Sequence, residues 1–244
     1  DNIALIASSI MSKKIACGAK ILCLDVKYGN GAFMKDFESA LQLAKLMCKI
    51  GKSFDIKTSA VISNMNEPLS KYIGNNLEVY SALKVLNGEE NNLSTLSKNI
   101  VATILKSIHK VESLEEGISL ATNSIKSKSA LEKFKQLILS QHGSIYKVEN
   151  YEVLAKCQNT LPIYATSKGY ISKINARELG NAVHDLCKLY DEKDDKNQCG
   201  LVLNKQKNEY VKLGELIATI HYSSDKDLSK IVEKINSCFT ITKE

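Results

Sequence analysis

The first apolar pattern in the chain has the period of a helix. Apolar residues recur through positions 3–16, and Gly18 follows at the point where such a helix would end. Glycine is favoured just beyond a helix C-terminus because it adopts a left-handed backbone without a steric penalty. The pattern therefore predicts a helix over 3–16.

A strand and a tight loop are predicted next. The apolar run 19–25 is typical of a buried strand, here ending at Asp25, and Gly29 and Gly31 follow within a few residues. Glycines at this spacing indicate a loop in which the backbone turns sharply. An amphipathic helix is then predicted over 37–52.

The run 57–63 completes a strand–helix–strand unit. It is short, apolar and β-branched, as expected of a buried strand. Two strands joined by a helix lie parallel in one sheet, and ligands bind such sheets beyond the carboxyl ends of the strands. The loops 25–34 and 64–72 are both predicted to lie at that edge.

The remainder of the chain divides into a helical part and a strand-rich part. The pattern from 74 to 141 is helical with three breaks, and short β-like runs begin at 161 around one helix near 177–190. The predicted fold class is α/β, with a mixed, largely parallel sheet flanked by helices and a small C-terminal α+β domain. The run 191–197 is predicted to be a solvated loop.

Composition narrows the classes of partner. The 244 residues carry a net charge of +6, and Arg177 is the only arginine among 33 basic residues. Because bidentate recognition of phosphates and bases favours arginine, dispersed lysines predict no nucleic-acid partner. No apolar run approaches the length of a membrane span, so no membrane partner is predicted either.

Seven cysteines lie at positions 17, 23, 48, 157, 187, 199 and 238. They form no C-x-x-C pair and no metal-ligand spacing. Several fall on apolar faces, where a thiol acts as a small hydrophobic side chain. A reducing, cytoplasmic location is therefore expected.

The predicted helix 3–16 also carries the first candidate chemistry. Ser9 and Lys13 are four residues apart, and Ile6 lies one turn earlier on the same side. One hydroxyl, one ammonium and one apolar side chain thus point the same way. From spacing alone, a solvated helix face is the favoured interpretation of the pair, because lysine is mostly exposed.

Several motifs resemble a known family. The chain reads ASSIMSKKIA over 7–16, DVK-x-G-x-GAFM over 25–34, AVIS-x-M over 60–65, GN-x-LEV over 74–79, ALEKF over 130–134 and LIATIH over 216–221. These runs resemble the thymidine and pyrimidine-nucleoside phosphorylases. The likeness covers most of the chain and is densest over 3–80. The chain as a whole resembles the C-terminal portion of those enzymes.

The resemblance implies a reaction and a set of residues. Family members split a pyrimidine nucleoside with phosphate, giving the free base and a pentose 1-phosphate. By resemblance, Ser9 and Lys13 contact the pyrimidine, and Lys13 is the catalytic residue. Ile6 and Phe33 match the apolar walls of the base pocket, with a plain core role for Phe33 as the alternative.

The resemblance also implies a cation site. Some members hold a monovalent cation, such as potassium, with two main-chain carbonyls and an acidic side chain. By position these carbonyls belong to Leu69 and Tyr72, whereas the acidic position is Ser81. No cofactor is expected to be required, and phosphate is the co-substrate.

Domain boundaries and assembly follow from the same likeness. Residues 1–16 are expected to be the last helix of the family's helical domain, 17–160 part of its α/β domain, and 161–244 the C-terminal α+β domain. The family's phosphate loop and a base-contacting arginine lie upstream of this sequence. The chain alone is therefore expected to be inactive and mainly monomeric, with a homodimer in the full-length protein.

Two other interpretations remain open. The run 187–192 stands where the family carries a glycine–arginine run, which favours a non-catalytic ligand-binding or interaction module on the same scaffold. A phosphoribosyltransferase of the same architecture is the other alternative, and the SI-x-SKK motif at 9–14 argues against it.

Overall fold

The computed structural model describes residues 2–190 and 196–242. The predicted loop over 191–197 and the altered run at 187–192 therefore lie partly outside the described residues. Within the described part, one helix precedes a strand–helix–strand unit, four helices follow one another, and a strand-rich segment closes the chain.

Helix α1 spans Ile3–Ala16 and has an ordinary cap at each end. The side-chain oxygen of Asn2 accepts hydrogen bonds from the backbone N–H groups of Ala4 and Leu5. Gly18 follows Cys17 with φ of 72°, the left-handed conformation that favours glycine. The predicted helix and its glycine stop are confirmed.

Strand β1 (Ile21–Tyr28), helix α2 (Phe37–Ser53) and strand β2 (Lys57–Asn64) form the predicted βαβ unit. The two strands are parallel and pair along their whole length, from Ile21 opposite Lys57 to Tyr28 opposite Asn64. This part of the fold prediction is confirmed.

Strand β1 is longer than predicted. It passes through Asp25 and continues for three residues, because Leu24 and Val26 alternate as buried positions and Tyr28 then packs edge-on against Phe37. The predicted strand end at Asp25 is wrong, and Asp25 lies inside the strand.

Helices α1 and α2 cover this unit with a shared apolar core. Its buried members are Ala7, Met11, Leu24, Val26, Met34, Ala40, Leu43, Ala44 and Met47. Burial of a leucine or methionine side chain contributes about 1.5–3 kcal/mol relative to exposure. The core therefore fixes α1 against β1, which places residues of α1 beside the carboxyl half of that strand.

Strand β3 (Tyr72–Ile73) leads into four helices: α3 (Asn75–Leu86), α4 (Asn92–Ser107), α5 (Leu114–Lys126) and α6 (Ser129–Ser140). A short helix α7 (Tyr146–Glu149) and a 3-10 helix (Tyr151–Ala155) follow. The helical pattern predicted over 74–141 is confirmed, including its breaks.

The C-terminal segment contains the remaining elements. They are β4 (Asn159–Tyr164), β5 (Gly169–Ile174), α8 (Ala176–Lys188), a 3-10 helix (Lys196–Gln198), β6 (Gly200–Leu203), β7 (Tyr210–Val211), β8 (Leu216–Tyr222), α9 (Ser229–Ser237) and β9 (Phe239–Thr242). The strands of this segment, together with β3, form two sheets, with strand orders β3-β6-β8-β4 and β7-β5-β9.

The predicted largely parallel sheet is wrong. Among the described strands only β1 and β2 pair as a parallel sheet, whereas every pairing in the other two sheets is antiparallel. The physical reason is that the described residues hold only one βαβ unit, while the C-terminal segment supplies most of the strands through antiparallel pairings between strands that are not consecutive in sequence. The coarser class, mixed α and β, is confirmed.

The two halves of the chain share a sheet. Strand β3 comes before the four helices, yet it pairs with β6 of the C-terminal segment, with Tyr72 opposite Val202. Strand β4 crosses the predicted domain boundary at 160. The three-domain division stays a prediction, and this shared sheet joins the C-terminal segment firmly to the rest.

Candidate functional site

A cavity of about 340 Å³ opens between α1, β1 and the loop after β1. Its lining is mainly apolar and includes Ile6, Ile10, Leu24, Val26, Phe33, Met34, Leu43, Met47 and Met65. Three charged residues, Asp25, Lys27 and Arg177, also reach it. Cavities of this size, apolar with a few polar groups, suit small aromatic ligands.

Two predicted base-pocket residues lie together on this cavity. Ile6 reaches it from α1 and Phe33 from the glycine loop. Phe33 is 68% exposed, so its alternative role as a plain core residue is wrong. A large exposed aromatic side chain at the mouth of an apolar cavity is available to contact a ligand.

Ser9 and Lys13 form a local pair on the exposed side of α1. The ammonium of Lys13 donates to the backbone carbonyl of Ser9 at 2.7 Å and to its hydroxyl at 3.0 Å. An ammonium has three N–H donors, so these two bonds leave capacity for a further acceptor. The structure brings Ser9 and Lys13 together, as predicted from their spacing.

Helix α1 carries both the Ser9–Lys13 pair and two of the residues that line the cavity. Ile6 and Ile10 line the cavity, Ser9 lies one turn beyond Ile6, and Lys13 lies one turn beyond Ile10. Ser9 and Lys13 themselves stand outside the lining. The arrangement is an apolar cavity with a hydroxyl and an ammonium on the helix that forms one wall.

Asp25, Lys27 and Ser63 form a polar cluster that the sequence did not predict. The ammonium of Lys27 lies 2.7 Å from a carboxylate oxygen of Asp25 and 3.0 Å from the hydroxyl of Ser63. That hydroxyl donates to the other oxygen of Asp25 at 2.5 Å. The parallel register, which sets Lys27 opposite Ser63, is the signal that would have revealed it.

The loop after β1 makes two further contacts that the sequence did not reveal. The side chain of Asn30 bonds to backbone at the start of α8, and the guanidinium of Arg177 donates to the carbonyl of Ala32. These partners are some 145 residues apart in sequence. No short-range pattern points to them.

The residues at the family's cation position have other partners. Ser81 is almost fully buried, and its hydroxyl lies 2.7 Å from that of Ser70. The backbone N–H of Tyr72 also bonds to the Ser70 hydroxyl, at 3.2 Å. The loop 69–72 is therefore held by neutral hydrogen bonds to helix α3.

Two lysines already supply positive charge beside this loop. The ammonium of Lys84 lies 2.6 Å from Glu89 and 5.7 Å and 5.5 Å from the ring centres of Tyr72 and Tyr80. The ammonium of Lys71 lies 5.3 Å from the Tyr72 ring. Cations within about 6 Å of a ring face are attracted by its quadrupole.

Contacts among Lys84, Glu89 and Tyr80 and their neighbours shift the pKa values of these three side chains. The hydrogen bond with Glu89 raises the pKa of Lys84 and lowers that of the Glu89 carboxyl. Burial, followed by the hydrogen bond to Glu152, raises the pKa of Tyr80 to about 12. Lys84 therefore stays charged at every pH at which the protein would function.

These residues do not fit a bound monovalent cation. A buried serine offers a neutral ligand where an acidic one is expected, and it is hydrogen-bonded to Ser70. Two nearby ammonium groups would also repel a metal cation. Among residues 2–190 and 196–242, no group of three or more histidine, cysteine or acidic side chains is arranged to hold a metal ion.

The fold and the cavity together define a mixed α and β protein with an apolar cavity of ligand size beside the carboxyl half of its two parallel strands. Residues 170–242 match the family model described as the pyrimidine nucleoside phosphorylase C-terminal domain. Across 99% of its length the chain is 40% identical to the pyrimidine-nucleoside phosphorylases of Staphylococcus aureus strains USA300, NCTC 8325 / PS 47 and bovine RF122 / ET3-1.

The chain is therefore similar to the pyrimidine-nucleoside phosphorylases over almost its whole length, and to their C-terminal domain over residues 170–242. It spans about half of the curated relatives it matches, 56% of each. Within the described residues, no helix has the length and apolar character needed to cross a membrane.

Proposed function

We propose that this chain forms the pyrimidine-binding side of a nucleoside phosphorylase. The observation that carries the proposal is the cavity lined by Ile6 and Phe33, because Ile6 lies on the same helix that presents Ser9 and Lys13. The apolar walls sandwich a flat base, and the polar pair supplies donors for its ring oxygens. The names of the 40%-identical relatives support this ligand class.

The proposed chemistry assigns Lys13 a role in the transition state. A phosphate oxygen attacks the sugar C1 atom while the C1–N1 bond breaks, and the bond's electron pair moves onto the pyrimidine. Negative charge then spreads over the ring oxygens. A preorganised ammonium and hydroxyl near these oxygens stabilise that charge more than they stabilise the neutral substrate.

Neither phosphate binding nor dimer formation is assigned to these 244 residues. By resemblance, both belong to elements that are not among them, namely a glycine- and serine-rich loop and most of a helical domain. We therefore propose that turnover needs those elements, that the full-length protein is a homodimer, and that the chain alone is inactive.

The cation and the location complete the proposal. Because Ser81 is bonded to Ser70 and Lys84 is charged, the protein is proposed to need no bound potassium at this loop. A cytoplasmic location is proposed because Cys23 and Cys48 are free thiols, and disulfides are rare in a reducing compartment.

The direct experiment is an assay of the longest natural protein that carries this sequence. With uridine or thymidine and inorganic phosphate, the proposal expects free pyrimidine and a pentose 1-phosphate in equal amounts. Without phosphate no base should be released. Binding of the nucleoside without any turnover would instead support the non-catalytic module.

A further inference from the structure

The loop that carries Phe33 is fastened to the C-terminal segment through one asparagine. The side-chain oxygen of Asn30 accepts a hydrogen bond from the backbone N–H of Ala176 at 2.8 Å. Its amide nitrogen donates to the carbonyl of Ile174 at 3.2 Å and to that of Asn66 at 2.5 Å. One side chain thus joins the glycine loop, the loop after β2 and the first turn of α8.

The only arginine of the chain makes a second link to the same loop. A guanidinium nitrogen of Arg177 donates to the carbonyl of Ala32 at 2.6 Å, and Arg177 also lines the cavity. Ala32 immediately precedes Phe33. Hydrogen bonds with a charged donor are shorter and stronger than neutral ones, so this bond restrains the backbone next to Phe33.

Backbone contacts tighten the arrangement. The N–H of Gly31 donates to the carbonyl of Met65, and the N–H of Asn30 donates to the side chain of Asn66. A side chain at residue 31 would begin 3.0 Å from the methyl carbon of Ala176. The loop therefore lies directly against α8, with no space for a larger residue.

Phe33 has little packing of its own to hold it. Its side chain is 68% exposed, although the neighbouring Ala32 and Met34 are buried. An exposed side chain keeps its place only if its backbone is fixed. The bonds from Asn30 to Ile174 and Ala176, and from Arg177 to Ala32, provide that restraint, because they tie the loop to residues outside the βαβ unit.

We infer that Asn30 and Arg177 are positioning residues for the Phe33 wall of the cavity, so that the C-terminal segment shapes the ligand site through the loop that carries Phe33. The inference concerns the place of Phe33. Its consequence for nucleoside kinetics rests on the proposed function, whereas its consequence for the mobility of the loop does not.

The mobility of the loop can be tested in the 244-residue chain, which contains no tryptophan. Phe33→Trp creates a single tryptophan at the cavity mouth, and its emission can be excited selectively over that of the ten tyrosines. In that background, Arg177→Gln should lower the tryptophan anisotropy and increase acrylamide quenching by about twofold, as a residue freed from a fixed loop becomes more mobile. Lys188→Gln, an exposed change at the other end of α8, is the matched control and should alter neither value.

Arg177→Lys adds a rescue arm, because a lysine keeps the charge but loses the planar fork. It should give values between those of the parent and of Arg177→Gln. Unchanged anisotropy and quenching in Arg177→Gln, with the Phe33→Trp parent folded by circular dichroism, would overturn the inference.

The kinetic test uses the longest natural protein and a double-mutant cycle. Arg177→Gln should raise KM for the nucleoside about tenfold and change kcat by less than about threefold, since ground-state and transition-state binding are lost together. In a Phe33→Ala background the same change should have almost no further effect on KM. Additive effects would mean that Arg177 does not act through Phe33.

These experiments distinguish a failure of the proposed function from a failure of the positioning role. If the protein releases no base but Arg177→Gln still loosens the tryptophan at position 33, the proposed function fails and the positioning role stands. If phosphorolysis occurs and the cycle is additive, the positioning role fails and the proposed function stands.

Discussion

Two regions of this molecule correspond in position to sites that the family resemblance implies, and their local contacts differ. The cavity beside α1 has an apolar lining and an exposed phenylalanine, and α1 carries a serine–lysine pair outside that lining. The loop at 69–72 instead closes on itself, with Ser70 bonded to Ser81 and two lysines beside Tyr72. The comparison teaches that one region leaves an open apolar cavity, whereas the other is closed by its own internal contacts.

The difference lies in what each region leaves available. At the cavity, about 340 Å³ of space remains for a ligand, and on the adjoining helix Lys13 keeps capacity to donate a further hydrogen bond. At the loop, the Lys84 ammonium already meets Glu89 and two tyrosine rings. We therefore expect substitutions at the cavity to change activity and substitutions at the loop to change stability.

The largest effect is expected from Lys13→Met in the longest natural protein. The change keeps the stem volume and removes the charge, so folding should survive. Loss of one preorganised donor typically costs roughly 3–4 kcal/mol, which corresponds to about 10²–10³ in kcat/KM. Steady-state phosphorolysis of uridine and thymidine measures it.

The matched control for this change is Lys14→Met. Lys14 is the next residue on α1, is also exposed, and lies in the same last turn. It should leave kcat/KM within about twofold, as expected of a solvated surface lysine. Equal losses in both variants would show that general surface charge, and not the Ser9–Lys13 pair, accounts for the effect.

A smaller effect is expected when the acidic residue is restored at the loop. The parent protein should melt at the same temperature in potassium chloride and in choline chloride of equal ionic strength. Ser81→Glu should melt about 3 °C higher in potassium than in choline, the shift expected when a ligand is present at roughly ten times its dissociation constant. Ser81→Gln, similar in size but uncharged, should show no difference.

Calorimetry in the two salts decides this comparison without any activity measurement. Only the difference between salts matters, so a general loss of stability on burying a larger residue does not affect the result. A potassium-specific rise in the parent protein itself would contradict the replacement of the ion site.

The smallest effect is a pH dependence at the Lys84–Glu89 pair. The hydrogen bond from Lys84 lowers the pKa of Glu89 below its ordinary value of 4.5. Its stabilisation is therefore complete above that value and is lost as the pH falls through the lower, folded-state pKa. The pair is partly exposed, so the loss should be below about 1 kcal/mol.

Urea unfolding at pH 7 and pH 3 measures this contribution. Glu89→Gln removes the titrating group and should lower stability at pH 7 but reduce the difference between the two pH values. If the parent protein and Glu89→Gln lose stability equally between pH 7 and pH 3, the Glu89 carboxyl makes no measurable contribution.

Local patterns predicted much of this fold because local forces form it. Helix α1 and the βαβ unit follow from apolar periods and from a glycine stop at Gly18, and the structure confirms them. The Ser9–Lys13 contact follows from a four-residue spacing on one helix. Such features need no knowledge of distant parts of the chain.

Long-range contacts explain what the sequence did not predict. Strand β3 pairs with β6, which places Tyr72 opposite Val202. This pairing extends an antiparallel sheet across the two halves of the chain. Arg177 reaches Ala32 over 145 residues, and an isolated arginine gives no sign of its partner. The Ser70–Ser81 bond depends on how a loop folds over α3, which periodicity does not encode.

The most direct test of the central claim locates a pyrimidine in the cavity. In the longest natural protein with labelled isoleucine methyl groups, titration with thymine or uracil should shift the NMR signals of Ile6 and Ile10, which line the cavity. The signals of Ile231 and Ile235, buried in the C-terminal core, should stay in place. Saturable shifts confined to Ile6 and Ile10 are the predicted result, and unchanged signals at both residues with base present in excess would contradict the account.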